Sequence, residues 1–123
     1  MWIDPIEIRR IIRRMVEMHP EYKVKPSEPY YVEGQDTYRF SSHHFIEQYR
    51  ALHQRDYAIL LLSCMFSRIG QDRDAHGQIA ALLSRYAKRR GFRLMKIGRI
   101  LLSRDVHGNM VRPMWWIYRM SVR

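Results

Sequence analysis

Apolar residues recur at helical spacing from the start of the chain. Ile8, Ile11, Ile12, Met15 and Val16 follow one another at steps of three and four or as neighbours, with Arg9, Arg10, Arg13, Arg14 and Glu17 between them. The pattern predicts an amphipathic helix. Asp4 is its expected N-cap, Pro5 fits a first turn that needs no N–H, and Glu7 is placed to close a capping box. Ile3 and Ile8 stand at the positions of a hydrophobic staple. The helix should end near Met18, before His19-Pro20. Its arginines are read as a solvated face, with phosphate contact as the rarer alternative.

Residues 20–41 change pattern. Pro20, Pro26 and Pro29 exclude helix, and the aromatic and β-branched runs Tyr30–Val32 and Thr37–Phe40 flank Glu33-Gly34-Gln35-Asp36, which predicts a β-hairpin. Ser41 or Ser42 can then cap a second helix with Phe45, Tyr49 and Leu52 on one face. After a polar break at His53–Asp56, Tyr57–Ile69 is apolar almost all round and stops at Gly70. A helix without a polar face is expected at the centre of a domain.

Ala75–Arg90 reads as the next helix, with Ile79, Leu82, Leu83 and Tyr86 inward, Arg85, Lys88 and Arg89 outward, and Gly91 as its C′ residue. Phe92–Arg104 fits two periods. At 3.6, Leu94, Ile97 and Leu101 share a face; at 2, no clean alternation emerges. The reading adopted is a helix, with Gly98 as the feature against it. Asp105–Asn109 is a turn, and Met114–Met120 is the most strand-like run, with Pro113 placing its start at an edge or bulge. Together these predict an α+β fold, mainly helical, with four to five helices and a small β-hairpin.

Length and composition fit a single compact domain, or a small module packed on a helical extension: 123 residues, 46% of them apolar. Cys64 is the sole cysteine, so no internal disulfide forms, in keeping with a reducing compartment. The longest apolar run falls well short of the ~20 residues that span a bilayer. Arg9 to Arg14 interrupt any signal-peptide pattern, and Asp4, Glu7 and Glu17 oppose a mitochondrial transit peptide. A cytoplasmic, soluble protein is expected.

Charge sharpens the picture. Residues 1–74 hold 11 Lys+Arg and 11 Asp+Glu, whereas residues 75–123 hold 11 Lys+Arg and one acid, Asp105. The whole excess of +10 therefore lies in the last 49 residues. So one-sided a field bears on partners rather than fold, and its default partner is a polyanion.

Within that segment, Tyr86–Arg93, then Ile97-Gly98-Arg99-Ile100-Leu101, then Trp115–Tyr118 resemble the winged helix-turn-helix domain of phage and plasmid replication proteins. The resemblance covers residues 75–123 and implies a winged-helix-like C-terminal half. It implies that Phe92–Leu101 lies in or over the major groove, that Lys96 and Arg99 face base edges or phosphates, and that Arg104 and Arg112 straddle the wing turn.

Enzymatic constellations are missing from the sequence. His43-His44 are adjacent, hence about 100° apart on a helix, whereas zinc helices space their ligands i, i+4. His53, His76 and His107 are scattered, and Asp72 and Asp74 sit where a helix start favours acids anyway. No Walker loop, nucleophile elbow or deaminase set occurs. No catalysis, metal or cofactor is expected. Trp115 and Trp116 should point to opposite faces of a strand; core or dimer packing is the preferred role, and the alternative is that one is exposed and stacks on a base or anchors a partner.

The expected function is non-enzymatic nucleic-acid binding, duplex DNA ahead of RNA. The contacts expected are Arg85, Lys88, Arg89, Arg90, Arg93, Lys96, Arg99, Arg104, Arg112 and Arg119. The alternative is a small phage- or mobile-element-encoded inhibitor or adaptor, anti-CRISPR-like, that binds a host protein or nucleoprotein complex. Its support is size, eight methionines and the Trp pair. A homodimer through Trp2 or the 114–120 strand is a further expectation.

Overall fold

The computed structural model describes residues 3–87, 89, 93–105 and 107–120. Asp4 opens α1 (Pro5–Met18) by accepting from the Ile6 N–H at 2.8 Å. All of Ile8, Ile11, Ile12, Met15 and Val16 are buried, so the apolar stripe is the core face. Glu7, expected to close a capping box, instead holds His53 Nε2 at 2.9 Å and ties α1 to the end of α2 (Ser42–Leu52). Ser41 caps α2: its Oγ accepts from the His44 N–H, and its own N–H donates to His44 Nδ1. The short α3 (Gln54–Ser63) follows, and then α4 (Gln71–Ala87), which buries Ala75, Ile79, Leu82, Leu83 and Tyr86.

Three strands, β1 (Asp36–Ser41), β2 (Leu94–Gly98) and β5 (Trp115–Met120), form an antiparallel sheet in the order β1-β5-β2. Phe40, Leu94, Trp116 and Tyr118 meet the buried faces of α1, α2 and α4 in one apolar cluster. The Trp116 Nε1–H donates to Ser42 Oγ at 3.0 Å, which satisfies a polar atom inside that core. A separate ribbon, β3 (Ser103–Arg104) with β4 (Met110–Val111), projects between β2 and β5 in the chain. The fold is α+β and mainly helical, with four α-helices among the described residues. None of these helices is long and apolar enough to cross a membrane.

Several expectations are corrected. The hairpin does not form: residues 36–41 pair with β5, in register from Asp36↔Met120 to Ser41↔Trp115. Tyr30 has φ 69° and Gly34 φ 79°, so the segment before β1 is a succession of turns rather than a strand. Residues 94–98 are strand where a helix over Phe92–Arg104 was expected. Leu94 pairs with Tyr118 and Lys96 with Trp116, and Gly98 takes φ 104° at a register shift opposite Trp115. Sheet hydrogen bonds and the burial of Leu94 outweigh the weak helical period.

β5 is central, not an edge, and the irregularity expected at its start falls on β2. The all-apolar stretch from Tyr57 is not the core helix: α3 ends at Ser63 and, within it, only Tyr57 is buried. Met1, Trp2, Lys88, Arg90, Gly91 and Phe92 lie outside the described residues.

Candidate nucleic-acid interface

The basic segment begins at the end of α4, where Arg85 stands exposed in the last turn, a position the helix dipole favours for a cation. Arg89, also exposed, lays its guanidinium 4.9 Å from the centre of the Tyr86 ring. Arg93 adopts φ 51°, and its carbonyl accepts from the Arg119 N–H at 3.1 Å, joining the start of β2 to the end of β5. Lys96, exposed on the sheet edge, brings Nζ to 5.5 Å from the Trp116 ring centre.

Beyond β2 the chain builds the ribbon. Asp105 Oδ1 accepts from the N–H groups of both His107 and Asn109 at 2.9 Å, and Gly108 has φ 81°. The Asp105–Asn109 turn is thus formed where the sequence predicts it. Burial works to raise the Asp105 carboxyl, but these two N–H groups, together with the His107 and His43 imidazoles, outweigh it and hold the group below the usual range. The sole acid of the basic segment is therefore occupied in shaping a turn.

Arg104 Nη1 donates to the Gly108 carbonyl at 3.1 Å, and Arg99 Nη1 to the Arg112 carbonyl at 2.9 Å. Each guanidinium is braced by the backbone without being neutralised, and each has further N–H donors. Arg104 and Arg112 bracket the ribbon, and both are exposed.

Three cations of the neutral segment have carboxylate partners. Arg10 lies 3.9 Å from Glu7, Lys23 lies 3.0 Å from Asp36, and Arg39 lies 3.1 Å from Glu28. Among the described residues, none of Arg93, Lys96, Arg99, Arg104, Arg112 and Arg119 is in an ion pair with a carboxylate. Arg119 is half-buried, with Nε enclosed and without a hydrogen-bond partner among the described residues. Together with Arg93 it borders a shallow depression of about 380 Å³ on the sheet, which Met95 and Ile117 also line.

Neither Trp115 nor Trp116 is available to stack on a base. Trp115 is 7% exposed and Trp116 1%. They do lie on opposite faces of β5, but both faces are covered: Trp115 donates to the Leu101 carbonyl at 3.0 Å and meets the His44 ring edge-on. Both pack in the interior, as the preferred reading expects, and the alternative of an exposed stacking or anchoring indole is corrected.

Histidines scattered in sequence converge in space. His43, His76 and His107 line one groove of about 630 Å³ between α2, α4 and the ribbon, with Asp72, Arg73 and Arg99. His107 Nε2 lies 2.9 Å from Asp72 Oδ2, and His76 Nε2 2.6 Å from the Tyr57 hydroxyl. Burial pushes the imidazoles of His43 and His76 below their usual range, which favours the neutral form. Among the described residues, no three His, Cys, Asp or Glu side chains are grouped to hold a metal ion. Sequence separation hid this cluster; the adjacent His43 and His44 were the only visible pair, and they diverge, one to the groove and one to the α2 cap.

In comparisons with protein families, curated protein sequences and solved structures, nothing matches this chain.

Proposed function

We propose that this protein binds nucleic acid, duplex DNA foremost, and that it acts without catalysing a reaction. The observation that carries this reading is the charge asymmetry: the whole +10 excess lies in residues 75–123, where Asp105 is the one acid among 11 Lys+Arg. Among the described residues, Arg93, Lys96, Arg99, Arg104, Arg112 and Arg119 of that segment are in no ion pair with a carboxylate. Cations left unneutralised on a folded surface attract a polyanion, and release of its counterions supplies the affinity.

The mode of contact differs from a helix laid in the major groove, because residues 94–98 are strand. The ribbon and its flanking Arg99, Arg104 and Arg112 form the leading contact, with Arg93, Lys96 and Arg119 along the sheet and Arg85 and Arg89 at the end of α4. Braced guanidinium groups suit phosphate, and among the described residues Trp115 and Trp116 are both buried, so neither indole is open to unpaired bases.

Binding of the purified protein, stripped of nucleic acid, to labelled duplex DNA, single-stranded DNA and RNA tests the reading. Duplex is expected to bind most tightly, and Arg104→Ala/Arg112→Ala to weaken it more than Arg13→Ala/Arg14→Ala on α1. Weak and equal binding to all three would show generic attraction instead.

A further inference from the structure

α3 and the turn after it expose a run of large apolar side chains. Ile59, Leu62, Met65 and Ile69 are half or more exposed, and Phe66 is 93% exposed. Ile59 and Leu62 lie three apart on α3 and so share a face. Single exposed apolar residues are ordinary, but a run of five large ones marks a surface built for contact. From Tyr57 to Ser67 no residue carries a charge.

We propose that this face is covered by a second copy of the chain, with the two α3 helices packed antiparallel about a two-fold axis. Charge favours that occupant. A protein of net charge +10 ordinarily repels its own copy, yet this face is uncharged and belongs to the segment whose net charge is zero. An anionic membrane would call for basic residues around the apolar patch, and residues 54–70 hold only Arg55, Asp56 and Arg68 as charges. These three are exposed, and they are disposed so that an antiparallel pair is complementary. Arg55 and Asp56 stand at the start of α3, and Phe66 and Arg68 lie just beyond its end. A two-fold axis brings Arg55 of one copy to the Phe66 ring of the other, and Asp56 to the other copy's Arg68, with both contacts made twice. The apolar residues fill the centre and the charges form the rim.

Sedimentation of the full chain after nuclease treatment tests this. The wild type is expected at about 30 kDa, twice its 15.0 kDa, at micromolar concentration. Leu62→Glu/Phe66→Glu is expected to sediment as a monomer that still unfolds cooperatively, because both positions are exposed within one copy. Its melting temperature should lose the dependence on protein concentration that the wild type shows. Asp56→Arg and Arg68→Asp should each weaken the dimer about tenfold, and the double variant Asp56→Arg/Arg68→Asp should restore it. A wild type that remains a monomer at about 100 µM would overturn the proposal, whether or not it is captured by lipid vesicles or another protein. So would a double variant weaker than either single one.

Discussion

His44 sits where only a neutral imidazole works. Its Nδ1 accepts from the Ser41 N–H, and its ring is stacked on Tyr22 and edge-on to Trp115. Burial, with added repulsion from His19 and His43, pushes its pKa down to about 4 from an ordinary 6.5; Glu21 opposes this in part. Between those values the unfolded chain binds more protons than the folded one, so stability is complete above pH 6.5 and is lost as pH falls toward 4. His43 and His76 shift in the same direction and add to the loss. Thermal melting is therefore expected to fall on acidification from about pH 7 to about pH 5, before most carboxylates titrate. His44→Gln keeps an acceptor at the third helical position and should make that fall shallower. A melting temperature flat over that range would contradict this. Trp116→Phe removes the donor to Ser42 Oγ in the core and is expected to cost about 1–3 kcal/mol in a denaturant titration.

At the scale of elements, Gly98 shows what separates a helix reading from the strand that forms. Its φ of 104° lies where a side chain is strained, at the bulge that lets β2 follow β5 past Trp115 and Trp116. Gly98→Ala leaves room for the new methyl group but not for the backbone, and should destabilise the fold on the order of 1–3 kcal/mol in chemical denaturation. α1, α2, α4 and β5 are legible in the sequence because each has its own signal: a 3.6 stripe, a Ser41 cap or an aromatic run. β2 is not, because of its five residues only Leu94 is buried, and a partly exposed strand has no alternation to read. The partner of β1 was equally hidden. Sequence suggests a neighbour across Gly34, but the aromatic strand at 115–120 offers Phe40 and Thr37 a buried pairing. α3 misled in the opposite direction, since apolar composition records that a surface meets something without saying whether that contact is within the chain.

The whole molecule separates charge along its sequence but not in its sheet: β1, from the neutral segment, is hydrogen-bonded to β5 of the basic one. The like charges of residues 75–123 are thus held on a framework partly supplied by residues 1–74. Their mutual repulsion is screened by salt, so melting temperature is expected to rise from about 20 mM to about 300 mM NaCl; a fall would mean that ion pairs outweigh repulsion. Much of the candidate interface was readable from charge alone, since Arg99, Arg104, Arg112 and Arg119 needed no fold to be noticed. How each guanidinium is braced, and that the tryptophans are withdrawn from it, depends on long-range contacts such as Arg99 with Arg112 and Trp116 with Ser42.

The salt dependence of duplex DNA binding tests the central claim most directly. If the cations of the basic segment meet phosphate, log K should fall with log[salt] at a slope of about −4 to −6, roughly five to seven contacts. Arg99→Ala/Arg104→Ala/Arg112→Ala should flatten that slope by about three, while Arg13→Ala/Arg14→Ala leaves it unchanged. An unchanged slope in the ribbon variant, or a flattened one in the α1 variant, would contradict the claim.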